Sequence, residues 1–375
     1  MSAPSPIPIT RPCFGQEERE LLLQVLDSGW VVQGPMVARF EALFGAFTGS
    51  PHCVATSSCT TALHLALRVL GVGPGDEVIV PSFTWIATAN AVEYVGARPV
   101  LCDIDPSTYN LDPASAAAQV GAHTRAIVPV HLFGLCAPMA AVLRIARASG
   151  LAVVEDAACA LGARYQGAHA GTLGDVGCFS FHPRKALTTG EGGMLTTARA
   201  EWAAQARALR DHGASLSDRQ RHEGPKSHLL PDFATLGYNY RMTDLQGALG
   251  CAQMGRAADL LAARRQRAAR YDAALQPLGW LRPPRVPPRC EHGYQAYVCL
   301  FAPEEPTLAS LASLHRRRNA VMEAMGRAGI ATRPGTHAVH LQEYYARRYG
   351  IRPADLPQAW IADRLSLALP LFADR

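Results

Sequence analysis

Lysine is almost missing from this chain. Of its 36 basic residues, only Lys185 and Lys226 are lysines, and arginine supplies the rest. The net charge is +5, and the arginines are spread out rather than gathered on one stripe. The densest basic cluster, His315-Arg316-Arg317-Arg318, reads as a solvated helix face. A nucleic-acid surface would need a basic face interleaved with aromatics, so no nucleic-acid partner is expected. No apolar run approaches the ~18 residues that a membrane-spanning helix needs, so no membrane partner is expected either. The first residues, Met1-Ser2-Ala3-Pro4-Ser5-Pro6, lack the basic-then-apolar order of a secretory leader.

None of the ten cysteines forms Cys-x-x-Cys, and Cys102 and Cys178 sit inside apolar, strand-like runs. Buried thiols in a reducing compartment are the better reading, which points to the cytoplasm. His-Glu-x-x-His, Gly-x-x-x-x-Gly-Lys-Ser/Thr and Gly-x-Ser-x-Gly are all absent. No metal site, P-loop or nucleophile elbow is therefore expected.

What is present begins with an alternation. From about residue 50 to 200, short β-branched runs are spaced by helical patterns. Strands are expected at Glu77 to Val80, Pro99 to Asp103, Ala126 to Val130 and Leu151 to Glu155. Helices are expected at Thr60 to Leu70, Ile86 to Val95 and Pro138 to Ala148. In the last of these, Met139, Val142, Leu143 and Ala146 share a face, and Ser149-Gly150 supplies a C-cap signal. Such alternation predicts a mostly parallel sheet covered on both faces, with ligands at the carboxyl ends of its strands.

A second pattern starts at Thr243, where some 30 residues without proline read as one long helix to Leu275. Pro283-Pro284 and Pro287-Pro288 then mark a rigid connection. From Tyr294 onward, short strands surround a helix near Leu308 to Ala328. With 375 residues, two domains are expected at ~100–200 residues each. The split is placed at 1–245 and 246–375.

Four features carry the chemistry, and each has an ordinary alternative. Thr56-Ser57-Ser58-Cys59-Thr60-Thr61 precedes a helical run; it is a plain N-cap or an anion site at a helix N-terminus. Trp85 stands just past a strand end, as a core residue or as a platform for a flat ring. Asp156 closes an apolar strand, and buried carboxylates are costly unless paired. It either caps the next segment or faces a cationic ring nitrogen. Lys185 follows the apolar run Val176 to Phe181, as a surface lysine or as a nucleophilic amine. A carboxylate for a pyridine nitrogen and a lysine for an aldehyde are the two groups that pyridoxal 5'-phosphate requires.

Together these stretches resemble the DegT/StrS family of sugar aminotransferases, a branch of the aspartate-aminotransferase-like fold. The matching motifs run in order from about Pro8 to Leu371. They include Ser28-Gly29-Trp30 with Gln33-Gly34-Pro35, Gly75 to Pro81, Val130-His131-Leu132-Phe133-Gly134, Glu155-Asp156-Ala157-Ala158, Ser180-Phe181-His182-Pro183, Gly190-Glu191-Gly192-Gly193 and Gly237 to Asp244. The resemblance implies an α/β chain of fold type I. A large domain would hold a mostly parallel seven-stranded sheet covered by helices, followed by a smaller C-terminal α/β domain.

The resemblance also implies roles. Lys185 would bond to the cofactor's aldehyde carbon and move protons. Asp156 would keep the ring nitrogen protonated, and Trp85 would stack on the ring. Ser180 with Cys59, Thr60 and Thr61 would contact the phosphate. Asn239 would reach the phosphate of a neighbouring subunit, implying a homodimer with shared active sites. The implied reaction takes nitrogen from L-glutamate and passes it to a nucleotide-linked keto-sugar. Relatives that dehydrate sugars carry histidine in place of the lysine, so Lys185 argues for amino transfer. Amination of a cyclitol ketone and a non-catalytic binding role are the alternatives. Trp30, His182, His337 and His340 are candidates for the substrate pocket. One departure stands out: the family usually has Gln or His three residues after the aspartate, near the ring's phenolic oxygen, where this chain has Cys159.

Overall fold

A computed structural model describes residues 6–216 and 230–373; Lys226 lies outside them. Its centre is a seven-stranded sheet made of β1 (His52–Thr56), β2 (Glu77–Pro81), β3 (Arg98–Cys102), β4 (Thr124–Ile127), β5 (Ala152–Asp156), β6 (Val176–Ser180) and β7 (Gly193–Thr197). The spatial order is β1-β7-β6-β5-β4-β2-β3. Only β7 runs against its neighbours; the β6-β5-β4-β2-β3 pairings are all parallel. Strands buried on both faces read as unbroken apolar runs, as Val78-Ile79-Val80 does at 0% exposure.

The expected α/β architecture is thus present, and most element bounds shift by a residue or two. The strand expected at Ala126 to Val130 stops at Ile127 because Pro129 has no N–H for a ladder. Beyond it, Val130 makes only an isolated bridge to Asp156. The helix Met139–Ser149 buries Met139, Val142 and Ala146 and ends at Gly150, whose φ of 65° a side chain would resist.

Two expectations need correction, and one pairing joins distant parts of the chain. The helix expected from Thr243 to Leu275 is two helices, Asp244–Gly255 and Ala257–Leu275. Arg256 leaves helical geometry at φ −111° and ψ 6°, next to a weak helix former, Gly255. Its guanidinium instead bonds Glu18 Oε1 at 3.1 Å and Cys13 O at 3.4 Å. Secondly, the first described residues pair with the last elements. Ile7 pairs with Ile330, and Leu371 N donates to Ile9 O at 3.0 Å. Thirdly, the basic run is not wholly solvated. Arg318 is 2% exposed and donates to Ser366 O at 3.0 Å.

The C-terminal elements form a second, antiparallel sheet of β8 (Leu281–Arg282), β9 (Tyr297–Phe301) and β10 (Ser366–Leu369). The helix Leu311–Arg327 accompanies it. One apolar cluster runs from Val54 and Val80 in the large sheet to Val298, Leu365 and Ala368 here. Short strands Phe83–Thr84 and His337–Ala338 pair directly and tie the two sheets' surroundings together.

Candidate active site

The sheet's register gathers the candidate residues along one edge. Thr56 and Ser180 both lie opposite Gly193, and Asp156 pairs with Cys178 on the adjoining strand. Ser57-Ser58, Trp85, Asp156 and Ser180 therefore leave the sheet at the same side, the carboxyl ends of β1, β2, β5 and β6.

Asp156 is 4% exposed. Thr88 Oγ1 donates to its Oδ2 at 2.7 Å and Ala158 N to its Oδ1 at 3.1 Å. Among the described residues it has no ion pair within 4 Å, so the carboxylate is buried without a bonded counter-cation. Thr88 Oγ1 also lies 3.1 Å from Trp85 O, and Thr84 Oγ1 lies 3.0 Å from it. This hydroxyl joins the turn bearing Trp85 to the carboxylate. Sequence reasoning passed over Thr88; its signal is the Trp85-x-x-Thr88 spacing, which lets a hydroxyl reach a carbonyl three residues back.

Lys185 is half-buried, and its Nζ donates to Cys159 Sγ at 3.3 Å. Lys185, Cys159, Ser180 and Ala158 line one cleft. Cys59 is buried, and its thiol is pushed well above the usual range. Burial is the main cause, followed by the charges of Asp156 and Cys178, while Lys185 pulls the other way.

Ser58, not Cys59, caps the helix Cys59–Val69. Thr61 N donates to Ser58 Oγ at 3.2 Å, and Thr61 Oγ1 donates back to Ser58 O at 2.7 Å. Thr61's hydroxyl is therefore engaged within the cap, whereas among the described residues no hydrogen bond occupies that of Thr60. The helix start lies against β7: a Cβ on Gly193 would come within 2.3 Å of Ser58 O. Gly193 is thus required for the close approach that sets this N-terminus at the sheet edge.

Trp85 is 58% exposed, with its ring 6.0 Å from that of His337 at 40°. His337 arrives on the strand paired with Phe83–Thr84. His182 also neighbours the site. Burial lowers its pKa, with Glu191 opposing and Lys185 reinforcing the effect. Its Nδ1 accepts from Arg184 N at 3.2 Å.

Three candidates stand apart from this group. His340 is buried between Ser82 Oγ at 2.6 Å and Pro353 O at 3.4 Å, as a tie between segments. Trp30 Nε1 donates to Gln33 O at 3.2 Å, beside Gly34 and Asp244. Asn239 is exposed, in a segment that bridges to Asp211.

A buried carboxylate lacking a counter-cation, an amine held by a thiol, a largely exposed indole and a capped helix N-terminus share one edge. That set fits pyridoxal phosphate. Asp156 could hold the ring nitrogen, Trp85 could lie beside the ring, and Ser180 with the helix N-terminus could take the phosphate.

The fold and this lysine–carboxylate site define a pyridoxal-phosphate transferase of the aspartate-aminotransferase type. Residues 12–374 match the DegT/DnrJ/EryC1/StrS aminotransferase family, and the chain belongs to that family. It is 40% identical over 342 residues to GDP-perosamine synthase of Caulobacter vibrioides, covering 91% of this chain and 87% of that one. It is 38% identical over 366 residues to the spore coat polysaccharide biosynthesis protein SpsC of Bacillus subtilis, covering 98% and 92%. The structure of Streptococcus pneumoniae Spr1654 in its PLP form superposes with a TM-score of 0.88, at 28% identity and 98% and 94% coverage. The PMP form of the same protein gives 0.89. The chain is thus an aminotransferase, and pyridoxal phosphate is its cofactor.

Proposed function

We propose that this enzyme moves an amino group from L-glutamate to a nucleotide-linked keto-sugar, making an amino sugar for a glycan or secondary metabolite. The observation that carries the reading is Lys185 at the rim of a site whose one buried carboxylate, Asp156, lacks a counter-cation. The sugar class is supported by a relative named for GDP-perosamine synthesis and another named for spore coat polysaccharide biosynthesis.

When bound, pyridoxal phosphate supplies an aldehyde for the amino nitrogen and a ring that withdraws electrons from the donor's Cα. The chain's own groups do the rest. Asp156 would hold the bound ring's nitrogen, where a carboxylate favours the protonated ring. Thr88 and Ala158 N orient that carboxylate. Lys185 Nζ removes the proton from the donor's Cα and returns one when the acceptor is aminated, as general base and then acid. Cys159 Sγ steadies the lysine between these steps. Trp85 excludes water from one face of the ring.

The enzyme is a cytoplasmic homodimer in this reading, with Asn239 reaching the partner's phosphate site. Exposed apolar side chains support it: Leu236 is 80% exposed and Leu230 82%, close to Asn239 in the chain. No helix among the described residues is long and apolar enough to cross a membrane. The split at 1–245 and 246–375 is retained for the main body of each domain, with residues 7–9 attached to the second.

The test is the absorbance spectrum of the purified protein before and after L-glutamate, with Lys185→Ala alongside. A visible band that shifts on glutamate in the wild type and not in the variant establishes amine uptake, and nucleotide keto-sugars are then screened as acceptors. No band after soaking in the cofactor, or no acceptor among such sugars, sinks the proposal.

A further inference from the structure

We propose that Thr84 is a positioning residue for the cofactor: its hydroxyl heads a one-way chain of hydrogen bonds, Thr84 to Thr88 to Asp156, that holds the carboxylate toward the ring nitrogen. The inference rests on the reading that Asp156 takes that nitrogen, and deepens it.

The three residues are buried, Thr84 and Thr88 at 1% exposure and Asp156 at 4%. Thr88 Oγ1 stands within hydrogen-bond reach of three oxygens: Asp156 Oδ2 at 2.7 Å, Thr84 Oγ1 at 3.0 Å and Trp85 O at 3.1 Å. A threonine hydroxyl has one proton and two lone pairs, so it can serve only one of the three as a donor. The carboxylate is the nearest, and a bond to an ionised acceptor is about twice as strong as a neutral one. Trp85 O does not need the hydroxyl, because Thr88 N donates to it at 3.1 Å.

With its proton given to Asp156, Thr88 Oγ1 meets Thr84 Oγ1 as an acceptor. Among the described residues Thr84 Oγ1 has no other hydrogen-bond partner, and a buried hydroxyl without one is costly. The direction of both bonds is therefore fixed. Each O–H dipole points at the carboxylate, and linked hydrogen bonds polarise one another. Valine would fill the space of Thr84 equally well; the hydroxyl is what ties this position to Asp156.

The outer end of the chain is held from the C-terminal elements. Thr84 lies opposite His337 in the short strand pair. Next to it, Val339 N donates to Ser82 O at 2.6 Å, and Ser82 Oγ lies 2.6 Å from His340 Nδ1. Ala338 N in turn donates to Asp363 Oδ1 at 2.9 Å. The backbone that carries Thr84 is thus clamped, so its hydroxyl meets Thr88 from a fixed place.

The experiment strips the full-length enzyme of cofactor and reloads it with pyridoxal phosphate or with the analogue that has carbon in place of the ring nitrogen. The Kd of each is measured by absorbance titration for the wild type, Thr84→Val, Thr84→Ser, Thr88→Val and Asp156→Asn. Thr84→Val is expected to weaken pyridoxal phosphate by about 2–10-fold, the worth of one neutral hydrogen bond, and Thr88→Val by about 10–100-fold, the worth of a bond to a charged group. Neither should move the Kd of the analogue, which offers Asp156 no nitrogen. Thr84→Ser keeps the hydroxyl and should bind both compounds as the wild type does. Thr84→Ala serves in place of Thr84→Val should the latter not fold. Equal weakening of the two compounds by Thr84→Val gives Thr84 a structural role only and overturns the proposal, as does unchanged binding of both. Asp156→Asn separates the two readings. If it weakens pyridoxal phosphate and not the analogue while Thr84→Val does neither, only the role of Thr84 falls. If it weakens both compounds alike, the assignment of Asp156 falls and takes the chain with it.

Discussion

Two carboxylates sit side by side on β5 and are treated in opposite ways. Glu155 is fully buried and takes four donors from the chain: His131 Nε2 at 2.7 Å, Gly171 N at 2.8 Å, Leu173 N at 2.7 Å and Gly174 N at 2.6 Å. Asp156, one residue on and facing the other way, takes two. The first carboxylate is completed by its own fold. The second is left short by about one strong cationic partner. Burial costs both, but only Asp156 needs something the protein does not contain. A structural acid and a functional acid are therefore told apart by how much of their hydrogen-bonding the chain supplies.

That contrast can be broken at four places. The largest effect is expected from Lys185→Ala. Removing the proton carrier should lower turnover by at least about 10²–10⁴-fold, with the melting temperature nearly unchanged because Lys185 holds little structure. A large drop in melting temperature would assign the lysine a structural role instead.

Asp156→Asn should follow, at about 10²–10³-fold in kcat, the usual cost of removing one preorganised electrostatic partner. The same substitution at the neighbour, Glu155→Gln, should act on stability first. It leaves at least one of four buried donors poorly met, at about 1–3 kcal/mol, while the residual folded fraction keeps a near-normal kcat. Measuring kcat and melting temperature for both variants gives a crossed pattern. Parallel losses in the two would erase the distinction.

Glu155 also sets a pH dependence. Burial pushes its pKa up, but the bond and charge of His131 and the N–H groups of Gly174 and Gly171 outweigh it, so the folded value lies below the ordinary one. A carboxylate with a depressed folded pKa stabilises fully above its unfolded value, near 4.3. That contribution fades as the pH falls through the folded value. Melting temperatures from pH 7 down to pH 3 should fall more steeply below pH 5 in the wild type than in Glu155→Gln. Equal slopes would mean the pair contributes no acid-labile stability.

Much of this was legible beforehand because the signals were local. The apolar run ending in Asp156, the run before Lys185 and the Gly150 cap need only neighbours in sequence to be read. The helix Cys59–Val69 starts one residue before the expected Thr60. What escaped depends on distant segments meeting. Thr88 reaches Asp156 across 68 residues, and Ile7 and Ile330 come together across nearly the whole chain. His340 looks like its neighbour His337 in sequence, yet His340 is buried on Ser82 while His337 is exposed beside Trp85.

The smallest effect tests Cys159, where the family usually has Gln or His. Its thiol accepts from Lys185 Nζ at 3.3 Å, and a thiol is a weak partner. Replacing it with the family's residue should therefore change little that depends on Lys185 as a base. Cys159→Gln is expected to leave kcat within about 10-fold, since the net worth of one neutral hydrogen bond is about 1 kcal/mol. An amide next to the ring's phenolic oxygen is a stronger donor than a thiol, so the visible absorbance band should move. A shifted band with retained turnover makes Cys159 an adjustment of the site. A loss as large as that of Asp156→Asn would place the thiol among the groups that perform the chemistry, and the contrast drawn from β5 would have to include it.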